Sequence, residues 1–332
     1  MKKVVWGVVS TAKIGLKRVL PGMQKSELIE IRAIASRSAP AAREAAQALG
    51  IPQAYGSYEE LFADPHIEAV YNPLPNHLHV PVTLQAAAAG KHVLCEKPVA
   101  LTADEAERLR AAAREVHIME AFMVRFHPQW LRARELVRQG RVGTLRAVQM
   151  LFCYFNDDPR NIRNMAAIGG GALYDIGCYP IVAGRFLFEA EPQRAIALFD
   201  RDPGFGTDRL TSALVDFGGG CHLDFTVSTQ CAPFQRTQIC GSKGRIEIQI
   251  PVNAPQGVET RLSVDDGGAL DGSSARVETL AASDQYMLQG EVFSRAVRGE
   301  IELPYGVEDA VRNMRVLDAL FRSEKSGRWE PI

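Results

Sequence analysis

Short β-branched segments alternate with alanine-rich helical stretches through the first 120 or so residues, and this alternation restricts the fold more than any other feature. Strands are predicted at residues 3–9, 30–36, 69–72, 92–96 and 118–121. A helix between successive strands lets the chain cross back and add a parallel neighbour. The sequence therefore predicts an N-terminal α/β domain with a mainly parallel, doubly wound sheet.

The pattern changes at about residue 145, where successive strands replace the alternation. Strands are predicted at residues 145–155, 211–217, 222–229, 236–240 and 245–250. Glycine-rich turns join several of them, and short turns imply antiparallel pairing. The polar stretch at residues 252–283 is expected to have little regular structure. Helices are predicted at residues 284–298 and 306–325.

These patterns divide the chain into two predicted domains. Residues 1–122 form the α/β domain, and residues 123–332 form an α+β domain built on a large, open, mainly antiparallel sheet. The final helix is expected to pack back towards the first domain.

Composition excludes several classes of partner. Lys plus Arg is 38 and Asp plus Glu is 39, without a run of like charges, so no nucleic-acid partner is expected. The six cysteines never occur at Cys-x-x-Cys spacing and the seven histidines are scattered, so no metal site is predicted. No uninterrupted apolar run approaches the roughly 18 residues that suggest a membrane-spanning helix. We expect a cytoplasmic protein with reduced thiols and no membrane partner.

The first strand ends in a turn that resembles a dinucleotide-binding loop. Its small residues are Ser10, Ala12 and Gly15, in the pattern S-x-A-x-x-G where G-x-G-x-x-G is expected. Ser10 makes the tight turn less easily than glycine, and Ala12 still lets backbone approach a pyrophosphate. Small residues in such a turn can also serve packing alone. The position of this turn at the first strand-to-helix junction favours the dinucleotide-binding interpretation.

The end of the second strand indicates which dinucleotide. An NAD site typically has Asp or Glu about 20 residues beyond the glycine turn, to hold the ribose 2′-hydroxyl. This chain has Ser36 and Arg37 there, and a guanidinium pairs with a 2′-phosphate. We therefore predict NADP, with NAD possible; the alternative is a solvated surface arginine.

Two further stretches follow strands of the same sheet. Residues 71–79 read Tyr-Asn-Pro-Leu-Pro-Asn-His-Leu-His, and residues 89–98 end in Cys-Glu-Lys-Pro. Ligands of doubly wound sheets bind beyond the carboxyl ends of the strands, so both stretches are expected to line one crevice.

Together these motifs resemble the Gfo/Idh/MocA family, named for glucose-fructose oxidoreductase, inositol dehydrogenase and a rhizopine catabolism protein. The resemblance rests on the glycine turn, Pro75-Asn76-His77-Leu78-His79, Glu96-Lys97-Pro98, the segment at residues 169–179, and Leu317-Asp318-Ala319-Leu320 with Ser323 and Gly327. It implies a Rossmann domain, an open-faced sheet domain, and hydride transfer between a nicotinamide and a sugar, polyol or related alcohol. It also implies that the Lys97-Pro98 peptide bond is cis.

The resemblance implies a catalytic set of Lys97, Asp175 and Tyr179. Many relatives have histidine where Tyr179 stands, and the tyrosine resembles the branch of glucose-fructose oxidoreductase, dihydrodiol dehydrogenases and NADP-dependent xylose dehydrogenases. In a helix, Asp175 and Tyr179 lie one turn apart on the same face. A free tyrosine titrates near pH ~10, and a nearby ammonium such as Lys97 favours the phenolate.

The remaining candidate residues belong to the cofactor or the substrate. The predicted cofactor contacts are Ser10, Thr11, Ala12, Ile14, Ser36, Arg37, Pro73, Leu74, Asn76, His79, Glu96 and Lys97. The predicted substrate contacts are Arg125, Tyr154 and Asn156, for which structural roles in turns are an equal alternative.

The function expected from these residues is an NADP-dependent sugar or polyol oxidoreductase, best described as an aldose 1-dehydrogenase for a D-xylose-like substrate. The alternatives are a dihydrodiol dehydrogenase, a sugar-sugar transhydrogenase with tightly held NADP, and a non-catalytic NADP-binding sensor. The open sheet must cover its other face, so a homodimer or homotetramer is expected.

Overall fold

The computed structural model describes residues 2–332, which form two compact units. The first contains the described residues up to Met123 together with Asp284–Met314, and the second contains Val124–Ser283 and Arg315–Ile332. The sequence placed residues 284–314 with the second domain.

The first unit is built on a parallel six-stranded sheet, which confirms the α/β prediction. Its strands are β1 (Val4–Val9), β2 (Ile29–Ala35), β3 (Gln53–Tyr55), β4 (Ala69–Asn72), β5 (His92–Cys95) and β6 (Ile118–Glu120). Their order is β3-β2-β1-β4-β5-β6, and every pairing is parallel. This is the order of a Rossmann sheet, in which the strand order reverses between β1 and β4.

Helices connect these strands. They are α1 (Leu20–Met23), α2 (Ala39–Leu49), α3 (Tyr58–Ala63), α4 (His79–Ala88), α5 (Ala103–Glu107) and α6 (Leu109–Ala112). The Ser38 hydroxyl caps α2 by accepting from the Ala41 N–H, and Gly50 ends it in the left-handed conformation.

A late segment of the chain completes the first core. The Trp6 ring of β1 is fully buried and lies 5.3 Å from the Phe293 ring, and its Nε1–H donates to the Ser294 hydroxyl. Both partners belong to a helix at Gln285–Val297, whose N-terminus Asp284 caps while pairing with Lys25 at 2.8 Å. These contacts explain why residues 284–314 belong to the first unit.

The second unit contains a nine-stranded sheet, which confirms the predicted α+β domain with a large, mainly antiparallel sheet. Its strands are β7 (Leu145–Phe155), β8 (Arg194–Arg201), β9 (Asp208–Asp216), β10 (His222–Ser228), β11 (Gln230–Gly241), β12 (Arg245–Ile248), β13 (Thr260–Asp265), β14 (Arg276–Leu280) and β15 (Glu330–Pro331). Their order is β14-β13-β12-β11-β7-β10-β9-β8-β15, and every pairing is antiparallel except β7 with β10. The helices that follow α6 in the chain are α7 (Pro128–Arg138), α8 (Cys178–Phe188), α9 (Gln285–Val297) and α10 (Val307–Ser326).

The expectation of little regular structure at residues 252–283 was wrong, because β13 and β14 lie there. Leu262 and Val264 of β13 are buried and pair with Ile248 and Ile246 of β12. Two apolar residues give too short an alternation to predict a strand, and β12 supplies the missing hydrogen-bond partners.

One helical segment within residues 2–332, Ala166–Phe188, is long and apolar enough to cross a membrane, with a mean hydropathy of 1.2. In its most apolar stretch, 67% is buried inside the protein, as is usual for a core helix.

Candidate active site

The predicted cofactor residues follow four neighbouring strands of the first unit. β2, β1, β4 and β5 are adjacent and parallel, so the segments that leave their carboxyl ends lie along one edge of the sheet. The structure therefore brings these candidate residues to a common edge. Their contacts with a bound cofactor stay a prediction.

Ser10 sets the backbone conformation of the turn after β1. Its φ of 79° lies in the left-handed region, where glycine is usual, and its N–H donates to the Ala35 oxygen at 2.7 Å. The Ser10 hydroxyl accepts from the Ala12 N–H at 3.1 Å. Within residues 2–332, the N–H groups of Thr11, Lys13 and Ile14 have no acceptor, which leaves donors at a helix start.

The end of β2 presents a hydroxyl and a guanidinium and no carboxylate. The Ser36 hydroxyl accepts from the Ser38 N–H at 3.2 Å, and the Arg37 side chain is exposed. Burial raises the pKa of Tyr58 at the start of α3, and the charge of the nearby Arg37 opposes this. Arg37 therefore lies near Tyr58 and is open to solvent.

The loops after β4 and β5 are joined by a buried histidine. The His79 ring is 1% exposed; its Nδ1 lies 2.7 Å from the Pro98 oxygen and its Nε2 lies 2.6 Å from the Leu74 oxygen. Burial lowers the pKa of His79 to about 4, although both carbonyl contacts oppose the shift because a charged ring donates from both nitrogens.

Two further contacts define the loop after β5. The Tyr71 hydroxyl donates to Glu96 Oε1 at 2.7 Å, which fixes the carboxylate that precedes Lys97. The Lys97-Pro98 peptide bond is cis, which confirms the expectation.

These features fit a phosphorylated dinucleotide. Free backbone N–H groups at a helix start bind phosphate oxygens, and a strand-end arginine without a neighbouring carboxylate suits a 2′-phosphate. NADP is thus compatible with the donor set along this edge.

The second unit positions Asp175 and Tyr179 on one continuous helical segment. It begins as a π turn at Leu173–Gly177 and continues as α8, so the backbone is more widely wound around Asp175 than the ordinary helix that the sequence predicted. Tyr179 is 6% exposed, and its ring lies 6.3 Å from the Phe152 ring of β7.

A buried carboxylate accepts a hydrogen bond from the backbone at the start of this segment. Asp208 Oδ2 accepts from the Leu173 N–H at 2.7 Å and from the Thr211 hydroxyl at 2.8 Å. Gly171 has φ of 122°, and a Cβ there would lie 2.0 Å from Asp208 Oδ1, so no other residue fits. Burial raises the pKa of Asp208 to about 6.

Asp175 is held by two donors on one oxygen. The Tyr154 hydroxyl donates to Asp175 Oδ2 at 2.6 Å, and Arg163 Nε donates to the same atom at 2.8 Å. Burial and the Asp175 charge both raise the pKa of Tyr154, so this hydroxyl remains a donor at neutral pH. The structure thus joins Tyr154, a predicted substrate contact, to a predicted catalytic carboxylate.

The other two predicted substrate contacts lie elsewhere in the second unit. The Asn156 side-chain oxygen accepts from the Asp158 N–H in a local turn. Arg125 is 5% exposed in a 3₁₀ turn at Met123–Phe126. Sequence reasoning missed Arg163 and Asp208, since no motif contains either residue. Only their contacts in space distinguish them: Arg163 with Asp175, and Asp208 with the Leu173 N–H.

Two family models match this chain. The model described as an oxidoreductase family with an NAD-binding Rossmann fold matches residues 4–126, and the GFO/IDH/MocA C-terminal domain matches residues 130–247. The chain is also 46% identical over 337 residues to an uncharacterized oxidoreductase, ORF334, of Rhizobium meliloti, with all of both chains covered. The chain belongs to the GFO/IDH/MocA oxidoreductase family, which confirms the resemblance.

Two proteins that are similar to this chain have more specific descriptions. The D-xylose 1-dehydrogenase (NADP(+)) 2 of Haloferax volcanii is 36% identical, with 98% of each chain covered. The structure of KijD10, a 3-ketoreductase from Actinomadura kijaniata in complex with NADP and TDP-benzene, superposes with a TM-score of 0.90 at 29% identity, covering 97% of this chain and 98% of KijD10.

The raised pKa of Asp208 predicts a specific pH dependence of stability. The folded chain binds the Asp208 proton more tightly than the unfolded chain, whose carboxyl titrates near 3.8. Folding therefore loses roughly 3 kcal/mol of this contribution as pH rises from about 4 to about 6. In urea unfolding, the free energy of unfolding of wild type should fall relative to that of Asp208→Asn across that pH range. Above about pH 7 the difference between the two free energies should stay constant. Parallel curves for the two proteins would contradict the prediction.

Proposed function

We propose that the protein is an NADP-dependent oxidoreductase that transfers hydride between the nicotinamide and a sugar or polyol, with a D-xylose-like aldose oxidised at C1 as the best candidate. The observation that supports the proposal is that Lys97, Asp175 and Tyr179, the residues that the resemblance implies are catalytic, are all present in a chain of this family whose β2 strand is followed by Ser36 and Arg37.

The cofactor preference is supported by charge. An arginine can form paired, charge-assisted hydrogen bonds with a 2′-phosphate, and no Asp or Glu at the strand end repels it. Arg37 is exposed and open to a ligand from solvent. The D-xylose dehydrogenase relative uses NADP(+), and the KijD10 structure contains NADP.

The proposed roles follow from the chemistry of each side chain. When bound, NADP supplies the nicotinamide C4 that takes the hydride. Tyr179 accepts the hydroxyl proton of the substrate, and Lys97 orients the substrate oxygen and favours the phenolate. Asp175 holds the substrate in position, and Tyr154 fixes Asp175 through its 2.6 Å hydrogen bond. Arg125 and Asn156 stay proposed contacts for further sugar hydroxyls.

We also propose a cytoplasmic homodimer or homotetramer. Exposed apolar side chains occur on strands of the nine-stranded sheet, including Leu198, Phe155 and Phe234, and a second copy would cover them. Light scattering of the purified protein measures the assembly, and a monomer would contradict this part of the proposal.

The deciding experiment is a rate assay that follows reduced-nicotinamide absorbance. NADP and NAD are supplied separately with D-xylose, D-glucose, inositol and a dihydrodiol, and turnover of an aldose with NADP preferred is expected. Turnover of the dihydrodiol alone would favour a dihydrodiol dehydrogenase. A nicotinamide released only from denatured protein would favour a sugar-sugar transhydrogenase, and no turnover with reversible NADP binding would favour a sensor.

Arg37→Glu should weaken NADP binding by about tenfold to a hundredfold, because a charge-assisted pair is lost and a repulsive charge is added. NAD binding should change by less than about threefold, because NAD carries no 2′-phosphate for the new charge to repel. Titration of cofactor fluorescence measures both affinities. Arg43→Glu, an exposed charge reversal within α2, is the matched control and should leave both unchanged. Unaltered NADP affinity in the Arg37 variant would exclude the assignment.

Tyr179→Phe should lower kcat by about a hundredfold or more while NADP affinity stays within about twofold, because only the proton acceptor is lost. Stopped-flow rates and cofactor titration separate the two effects. Tyr174→Phe, in the same helical segment, keeps its ring against Phe321 and should retain wild-type kcat. Comparable turnover in the Tyr179 variant would exclude this phenol as the essential acid or base.

A further inference from the structure

Arg163 occupies a position in the second unit that no sequence motif indicates. It lies in a 3₁₀ turn at Ile162–Asn164, and its Nε donates to Asp175 Oδ2 at 2.8 Å. The Tyr154 hydroxyl donates to that oxygen at 2.6 Å. Arg163 is thus one of two donors that fix the same carboxylate oxygen.

The backbone of Arg163 is fixed as firmly as its side chain. Its N–H donates to the Asn161 side-chain oxygen at 3.1 Å, and its oxygen accepts from the Gly171 N–H at 2.8 Å. A Cβ at Gly170 would lie 2.6 Å from the Arg163 oxygen, so the glycine turn packs directly against this residue. The turn that begins the Asp175 and Tyr179 helix and the turn that carries Arg163 therefore position each other.

Titratable groups surround the Arg163 guanidinium and its partner. Asp175 Oδ2 on the π turn accepts from Arg163 Nε, and the Tyr154 hydroxyl of β7 donates to the same oxygen. Burial, then the charges of Asp175 and of Asp208 on β9, raise the pKa of Tyr154. Tyr179 lies one turn after Asp175 on the same helical segment. The Asp175 charge raises the pKa of Arg163 against the effect of burial. A carboxylate one turn before Tyr179 disfavours the anionic phenolate, and a cation fixed on that carboxylate offsets the repulsion.

We propose that Arg163 is a positioning residue for proton transfer at Tyr179: it fixes Asp175 through Nε and offsets the negative charge of that carboxylate, one helical turn before the phenol. The inference rests on the proposed function, because it assumes that Tyr179 transfers the proton. It adds to Lys97 a second cation, supplied by the same unit that carries the tyrosine.

An ordinary surface ion pair would not have this effect, and the same loop contains one for comparison. Arg160 pairs with Asp158 at 3.1 Å, but its side chain is 89% exposed, against 39% for Arg163 and 13% for Asp175. Exposed pairs of this kind are screened by solvent and contribute little. Arg160→Gln is therefore a matched control for Arg163→Gln, with the same change of residue three sequence positions away.

The test compares Arg163→Gln, Arg163→Lys and Arg160→Gln in the aldose assay across pH. Arg163→Gln should lower kcat about tenfold, leave the KM for NADP unchanged, and move the pH limb that depends on Tyr179 about one unit upward. Arg163→Lys should recover most of the shift because it restores the charge, and Arg160→Gln should behave as wild type. Loss of kcat at every pH without a shift, or without rescue by lysine, would overturn the inference in favour of a structural role.

A double-mutant cycle tests whether Arg163 acts through Tyr179. If it does, Arg163→Gln should cause little further loss of kcat in a Tyr179→Phe background. Independent, multiplicative losses would overturn the inference.

A readout without turnover separates failure of the inference from failure of the proposed function. The tyrosinate absorbance of a protein minus that of its Tyr179→Phe variant isolates the titration of one phenol among the eight tyrosines. This titration should lie about one pH unit higher in Arg163→Gln than in wild type. An unshifted titration overturns the inference, whereas a shifted one in a protein that oxidises no sugar overturns the proposed function alone.

Discussion

The hydrogen bond from the Leu173 N–H to the buried Asp208 carboxylate fixes where the helical segment of the second unit begins. A helix start leaves N–H groups without partners, and a carboxylate there satisfies one of them and interacts favourably with the helix dipole. The contact leaves room only for glycine at Gly171, so the chain reaches the helix through a turn that a side chain would block. Asp175 and Tyr179 then follow at fixed positions one turn apart, and the same turn packs against Arg163.

The two units use different physical means to position reactive groups. In the first, the parallel register of β2, β1, β4 and β5 brings four strand ends to one edge, and loops between those ends are secured by His79 and by the Tyr71 contact with Glu96. In the second, a polar network around Asp175 does the positioning, with two donors on one oxygen. The members of this network are partly buried, and such networks are rigid when every member has a partner, because loosening one leaves a partly desolvated polar atom.

Sequence reasoning could single out candidate residues where local chemistry is unusual. Ser36 and Arg37 stand out because a strand end of this type normally carries an acidic residue, and the Glu96-Lys97-Pro98 triplet stands out for its position after a buried strand. It failed where a residue becomes informative only through a distant partner. Asp208 lies 35 positions from Leu173 and begins an ordinary strand, and β13 has too few apolar residues to signal itself without β12. The late helix that packs on Trp6 was assigned to the wrong neighbours for the same reason, since Phe293 is 287 positions from Trp6 in sequence and 5.3 Å from it in space.

The sequence by itself determined the class of each sheet, the small residues of the turn after β1, the polar residues that follow β2 and the family. All of these depend on short-range patterns: the period of apolar residues, the spacing of small residues in a turn and the charge that follows a strand. Only the tertiary structure decided that Asp175 is fixed by both Tyr154 and Arg163, that Asp208 closes the helix start, and that the chain returns at residue 284 to complete the first core. Hydrogen bonds and ion pairs between distant residues have no sequence period, because their geometry exists only after both elements have packed.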